Sequence, residues 1–217
     1  MDKLDTSHPT VRALELLVPE VMVAGGSYAA WLPHPGTVPV ENRAAMMGSA
    51  RQAAVAHCVR SLLRSVGVDE NAIVGVGEGG ERMWPAGFVG SLTHKGTVVL
   101  GVIAPVSSAW MIGIDIERTD GDLAEVESSI AAEGLAPGMD PRTARLLTFS
   151  AKEAVFKAQY PATSRFLGFA DVQLLWEAGG ACMRAAVRCP VQGLNVRAAQ
   201  VGRWIVSAAI SIDHTDT

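Results

Sequence analysis

Gly113-Ile114-Asp115-Ile116-Glu117 and Phe149-Ser150-Ala151-Lys152-Glu153-Ala154-Val155-Phe156-Lys157-Ala158 are the two stretches on which the reading of this chain turns. In the first, Trp110, Ile112, Ile114 and Ile116 alternate with Met111, Gly113, Asp115 and Glu117, the period of a strand. Residues i and i+2 of a strand share a face, so Asp115 and Glu117 point together. The glycine beside them leaves room for something to approach. The second stretch reads as a helix, with Ser150 as N-cap and Pro161 as stop. Glu153 and Lys157 are four apart and share one of its faces. Three carboxylates and two lysines, Lys152 and Lys157, therefore lie on two short elements, which is equipment for a divalent cation and a phosphate. A blander account exists for the helix. Ser150-x-x-Glu153 is also a capping box, and Glu153 with Lys157 is also an ordinary helix-surface pair.

Working outward, Gly87-Phe88-Val89-Gly90-Ser91-Leu92-Thr93-His94 and Thr97 to Ala104 read as antiparallel strands joined by a tight turn at Lys95-Gly96. A strand-end histidine is most often polar surface. Here Ser91, Thr93 and Lys95 all donate hydrogen bonds around His94, so an anion site is nearly as well supported. Gly75-Val76-Gly77-Glu78-Gly79-Gly80 formally matches a dinucleotide fingerprint, but no helix opens after it and no βαβ unit surrounds it. It reads as a flexible loop. Glu41 to Val66 is helical in pattern, with Val55, Val59, Leu62 and Val66 at helix spacing and Gly67 closing it. Arg51, His57, Arg60 and Arg64 occupy its polar positions, and a solvated basic face explains any one of them. Leu14 to Val23 is either a strand pair or a short helix, and Leu32 to Gly36 a loop. Asp120 to Glu133 has a modest amphipathic helix pattern. Strands are predicted over Val172–Glu177, Ala181–Val187, Val196–Gln200 and Arg203–Ile212, with a turn at Gly179-Gly180.

Helices with strands, twice over and without βαβ alternation, argue an α+β fold of two similar halves. They meet near Pro105-Val106-Ser107-Ser108, giving domains over 1–108 and 109–217. The chain has 217 residues, 49% of them hydrophobic and 18% charged, which is enough for a sizeable core. Its net charge of −4 gives no general affinity for nucleic acid or for an anionic membrane. Any anion site must be a local basic cluster. Cys58, Cys182 and Cys189 lack metal spacing, and no signal-peptide pattern opens the sequence. They are expected to be reduced and mostly buried, in a cytoplasmic protein. No apolar run reaches the length of a membrane span.

Asp115, Glu117 and Glu153 offer hard oxygen ligands, which suit Mg²⁺ or Mn²⁺ rather than zinc. His94, Lys152, Lys157 and Arg60 can neutralise phosphates. A metal and lysines on a phosphate chain imply attack at phosphorus with a carboxylate taking the nucleophile's proton. Spacing alone identifies neither nucleophile nor phosphate donor.

Three runs together are more specific. Trp84-Pro85-x-Gly87-x-x-Gly90-Ser91-x-Thr93-His94, Gly113 to Glu117, and Phe149-Ser150-Ala151-Lys152-Glu153-Ala154-x-x-Lys157-Ala158 resemble the signature motifs of 4′-phosphopantetheinyl transferases, in that family's order and spacing. Tyr160-Pro161 through Phe166-Leu167-Gly168-Phe169-x-Asp171 is similar to the surfactin/enterobactin-type branch. The resemblance covers about residues 41–175.

The resemblance implies a pseudo-dimer of two α/β halves, each a helix on a small, mainly antiparallel sheet, with coenzyme A in the cleft between them. It implies transfer of phosphopantetheine from coenzyme A to a serine of an apo acyl or peptidyl carrier protein, releasing adenosine 3′,5′-bisphosphate. Asp115, Glu117 and Glu153 would hold Mg²⁺ on the pyrophosphate, and Glu153 would deprotonate the carrier serine, directly or through water. Lys157 and Lys152 would face the phosphates, as would Ser91, Thr93 and His94 from the amino-terminal half. A monomer is expected, because one chain carries both halves. The chain departs from the family's pattern at Ala56, Gly79 and Arg82. Arg51, Arg60 and Arg82 are the substitute candidates for the 3′-phosphate, and Lys95 for an extra phosphate contact. Two other readings fit the same residues. A non-catalytic coenzyme A or carrier-binding module would have lost a motif carboxylate or Lys157, and none is lost. A nucleotide-diphosphate hydrolase would need no carrier.

Overall fold

A computed structural model of the chain describes residues 4–32, 40–121, 126, 130, 134–177 and 182–211. The Leu32 to Gly36 loop after its first residue, most of the Asp120 to Glu133 helix and the Gly179-Gly180 turn lie outside them. Near the start, the ambiguous segment resolves into helix α1 (Pro9–Leu17) and strand β1 (Met22–Ser27). Pro9 supplies the preset φ of a first helical position, and the His8 ring accepts from the Thr10 amide. Thr10, Val11, Leu14 and Leu17 form its buried stripe. Helix α2 (Val40–Ser65) follows, with Ala54, Cys58, Leu62 and Leu63 buried along one face.

The glycine-rich segment departs from the flexible loop expected of it. It closes a two-stranded ribbon, β2 (Gly75–Val76) and β3 (Arg82–Met83), with Gly77 and Glu81 joined by a backbone hydrogen bond at 2.8 Å. Strands β4 (Phe88–Lys95) and β5 (Val98–Pro105) form the expected hairpin, and the Tyr28 hydroxyl donates to the Gly96 carbonyl at its turn at 2.8 Å. Together β1, β5 and β4 make an antiparallel sheet, which α2 covers. Strand β6 (Ile112–Arg118) opens a second sheet, continued after helix α3 (Pro141–Thr163) by β7 (Gln173–Trp176), β8 (Cys182–Arg188), β9 (Leu194–Val201) and β10 (Trp204–Ser211). Its order is β6-β10-β9-β8-β7, antiparallel throughout, with α3 against β6, β10 and β9. The α+β fold of two halves, each a helix on an antiparallel sheet, is therefore the observed one.

Helix α3 starts nine residues before the predicted cap. Asp140 is the true N-cap, accepting from the Thr143 amide at 3.1 Å, with Pro141 next. Ser150 is buried in mid-helix, so the capping box with Glu153 does not exist. Pro161 does not stop the helix either. It falls in the last turn, where one missing N–H costs one bond, and the chain turns out at Ser164 in the left-handed region. Strand β10 is buried along its whole length, so these apolar carboxyl-terminal residues pack internally.

The two sheets share a core. Val98, Leu100 and Val102 of β5 pack with Ile112, Ile114 and Ile116 of β6, Val206 and Ala208 of β10, and Val11, Leu14 and Leu17 of α1. Each fully buried Ile or Leu there contributes roughly 1.5–3 kcal/mol. Helix α1 thus crosses from the first sheet to the second, and Arg197 of β9 fastens its end by donating to the Leu17 carbonyl at 2.8 Å. The isoleucine face of β6 looks into this core. Its Asp115–Glu117 face is turned to α3 and β4, and that difference positions the site.

Candidate active site

Gly113 decides how close α3 can lie to β6. A Cβ there would stand 2.1 Å from the Ala154 carbonyl oxygen and 2.4 Å from the Ala158 nitrogen. What the glycine admits is the helix backbone itself. The contact involves Ala154, Lys157 and Ala158 on α3, next to Glu153, and lies two residues before Asp115 on β6, so it sets the gap across which these side chains meet.

Strand β4 lies beside β6 and runs along it in step. Ser91 Oγ accepts from the Ile114 amide at 3.1 Å, Thr93 Oγ1 donates to Asp115 Oδ1 at 3.3 Å, and Lys95 Nζ pairs with Glu117 Oε2 at 2.6 Å. From α3, Lys157 Nζ reaches Asp115 Oδ1 at 2.6 Å and Thr93 Oγ1 at 3.5 Å. Among the described residues Lys157 makes its close ion pair with Asp115 and none with Glu153, so the ordinary i,i+4 pair is not formed. Asp115 is buried, and its other oxygen, Oδ2, has no hydrogen-bond partner.

Burial raises the pKa of Glu153 first, then the negative charge of Asp115, with Lys157 opposing and Glu117 adding a little. Glu117 is raised too, by burial, against the pull of its hydrogen bond from Lys95. The three carboxylates therefore feel one another across the site. Among the described residues no three His, Cys, Asp or Glu side chains are grouped to enclose a metal ion, and lysines pair with Asp115 and Glu117. The donor chemistry fits a hard divalent cation nonetheless. An unpartnered buried carboxylate oxygen is costly, and a cation is what would satisfy it.

A cavity of about 330 Å³ adjoins this cluster, lined by Ser91, Thr93, His94, Glu153, Phe156, Lys157 and Tyr160. Arg82 and His94 also line a second space of about 690 Å³, where Arg51 and Arg60 of α2 join them. A third, of about 440 Å³, is lined by Tyr28, Met47, Arg51, His94 and Lys95. His94 stands on the rim of all three. Desolvation lowers its pKa first, then Arg51, so the ring tends to the neutral form among cations. Arg51, Arg60, Arg82, Ser91, Thr93, His94, Lys95 and Lys157 thus line three spaces that share His94.

Lys152 is not among the residues lining them. Its ammonium donates to the Phe169 carbonyl at 2.7 Å, tying α3 to the segment before β7, and burial lowers its pKa. Residues 152 and 153 are adjacent on a helix and cannot share a face. Phe156 and Tyr160 were missed in the sequence, although 153, 156, 157 and 160 follow the i, i+3, i+4, i+7 spacing of one face. Their rings are 5.2 Å apart. Gly79, read from the sequence only as a departure from the family's pattern, lies so close to Tyr160 in the β2–β3 turn that a Cβ there would meet its hydroxyl at 2.2 Å.

Comparison with known proteins identifies the family. The family model described as the 4′-phosphopantetheinyl transferase superfamily matches residues 111–208, and that of the 4′-phosphopantetheinyl transferase N-terminal domain matches 42–104. The 4′-phosphopantetheinyl transferase PptT of Mycobacterium tuberculosis is 34% identical over 169 residues, spanning 72% of this chain and 73% of that one. Svp of Streptomyces mobaraensis, named likewise, is 34% identical over 170 residues, covering 74% and 68%. Enterobactin synthase component D of Escherichia coli is 37% identical over 111 residues, covering 46% and 49%. The chain belongs to the 4′-phosphopantetheinyl transferase superfamily and is an enzyme of that class. No helix among the described residues is long and apolar enough to cross a membrane.

Proposed function

We propose that this chain moves the 4′-phosphopantetheine arm of coenzyme A onto a serine of an apo carrier protein, releasing adenosine 3′,5′-bisphosphate. The observation that carries the reading is the meeting of Asp115, Lys157 and Glu153 at a cleft whose other wall is basic. In the reaction the serine oxygen bonds to the phosphorus that bears the pantetheine, the bond to the bridging oxygen breaks, and the serine proton leaves. Glu153 suits that proton: burial raises its pKa, which makes it a stronger base than an exposed glutamate. Lys157 stands where charge grows on the phosphate oxygens as the bridging oxygen departs. Arg51, Arg60, Arg82 and His94 line the space that takes the nucleotide phosphates, and Phe156 and Tyr160 offer an apolar wall to the arm. Asp115, Glu117 and Glu153 would hold Mg²⁺, or Mn²⁺, which would add Lewis-acid neutralisation of the pyrophosphate.

A division into halves near residues 105–110 is supported by the sheets, whose strands fall within 22–105 and 112–211. Both walls of the cleft come from one chain, which supports action as a monomer. All three cysteines are free, which supports a reducing compartment such as the cytoplasm. Likeness to enterobactin synthase component D favours carriers of peptide or polyketide assembly. Intact-protein mass spectrometry of a panel of apo carriers, with coenzyme A and Mg²⁺, tests the transfer and the choice of carrier. The expected result is a phosphopantetheine-sized gain that EDTA abolishes. No gain on any carrier, despite calorimetric binding of coenzyme A, would overturn the transferase reading.

A further inference from the structure

The pair between Lys95 and Glu117 is peculiar in its placement. Lys95 sits at the end of the β4–β5 hairpin, its side chain 42% exposed, yet it turns inward to a Glu117 side chain that is only 13% exposed. It therefore gives up hydration to neutralise one carboxylate on the face of β6 that also carries Asp115. Lys157 differs. It engages only Oδ1 of Asp115 and leaves Oδ2 open, so its pair with Asp115 can persist beside a cation.

We propose that Lys95 is a tethered competitor for the divalent cation. Its ammonium occupies the Glu117 carboxylate in the metal-free chain, and cation entry displaces it. The displaced side chain has somewhere to go, since Lys95 already lines the 440 Å³ space beside Tyr28, Arg51 and His94. The cation affinity of the site is thereby set lower than its carboxylates alone would give. This rests on the reading of Asp115, Glu117 and Glu153 as a cation site.

The test is titration of the full chain with Mn²⁺ alone, free Mn²⁺ being read by electron paramagnetic resonance. Lys95→Met and Lys95→Gln should bind Mn²⁺ roughly threefold to fivefold more tightly, the worth of a half-exposed ion pair. Lys95→Arg, which keeps the charge, should stay near wild type, and Asp115→Asn should lose the site. Coenzyme A binding in EDTA, followed by calorimetry, separates the alternative. If Lys95→Met leaves Mn²⁺ affinity unchanged or weaker while coenzyme A binding weakens, Lys95 is a phosphate ligand and the proposal is overturned. If Asp115→Asn binds Mn²⁺ as well as wild type does, the cation site itself is misassigned and the proposal falls with it. If wild type shows no binding in the millimolar range but Lys95→Met does, the competition is confirmed in its strongest form.

Discussion

Replacing Gly113 by alanine tests whether the site depends on the closeness of α3 to β6. The added methyl would stand 2.1 Å from the Ala154 carbonyl oxygen, 2.4 Å from the Ala158 nitrogen and 2.9 Å from the Lys157 carbonyl carbon. All three are helix backbone, so no side chain can rotate away. Restoring ordinary contact requires α3 to retreat by more than about 1 Å, at the cost of about 1–3 kcal/mol typical of an overpacked core. For a chain of this size each kcal/mol lowers Tm by roughly 2–4 °C. The same retreat would stretch the 2.6 Å contact of Lys157 with Asp115 beyond hydrogen-bonding range and move Glu153 with it. A shift of about 1 Å at reacting groups costs about 10²-fold in rate. Gly113→Ala should therefore stay folded with a lowered Tm, bind coenzyme A through the arginine wall, and lose about two orders of magnitude in kcat for carrier modification. Wild-type kcat in a folded variant would refute the argument that this glycine sets catalytic geometry.

Asp115→Asn removes the charge that holds Lys157 and the oxygen that lacks a partner. Carrier modification should fall by at least about 10²-fold with Tm within a few degrees of wild type, as Lys157 is exposed enough to turn to water. Retained activity would remove Asp115 from the machinery. The raised pKa of Glu153 makes two statements about pH. Deprotonation is required of a base, so kcat/KM should rise with pH up to a midpoint above the ordinary glutamate value of 4.5. A carboxyl with a raised folded pKa contributes stability present below its unfolded value and lost as pH climbs through the folded one. Metal-free Tm should accordingly decline across the mildly acidic range, and Glu153→Gln should flatten that decline. Parallel Tm profiles for the two proteins would show that Glu153 is not perturbed by burial.

What could be read from the sequence was what local periodicity encodes. The alternation through Ile112, Ile114 and Ile116 placed Asp115 and Glu117 together because a strand's two faces are fixed by parity alone. Helix faces were likewise available, and Phe156 and Tyr160 belonged with Glu153 and Lys157 by the same rule. The start of α3 was misplaced because Ser150 looks like a cap wherever it stands. Only tertiary burial, against β6 and β10, decides that it lies mid-helix, and Asp140-Pro141 was the competing signal. Partners across the chain were out of reach. That Lys157 chooses Asp115 over Glu153, and that Lys95 reaches Glu117, depends on β4 lying in step beside β6, which no spacing within either strand records.

The distribution of charge in the cleft explains why those choices matter. The carboxylates lie on β6 and α3, with Lys157 among them, and other basic groups on α2, β3 and β4; among the described residues Lys95 is the base of that second set that pairs with a carboxylate of β6. Such a half-exposed pair is worth only about 0.2–1 kcal/mol, too little to be justified as a brace for the fold. Its consequence lies in what happens when it opens. A cation that took Glu117 would return Lys95 to the side of Arg51 and His94, where its charge would repel the Arg51 guanidinium until an anion arrived. Cation binding would thus make the basic wall more positive, and a phosphate chain bound there should be held more tightly. Linkage is reciprocal, so the phosphate must tighten the cation by the same factor. A substrate that spans both walls, anhydride on one side and 3′-phosphate on the other, is the kind of molecule on which such coupling acts.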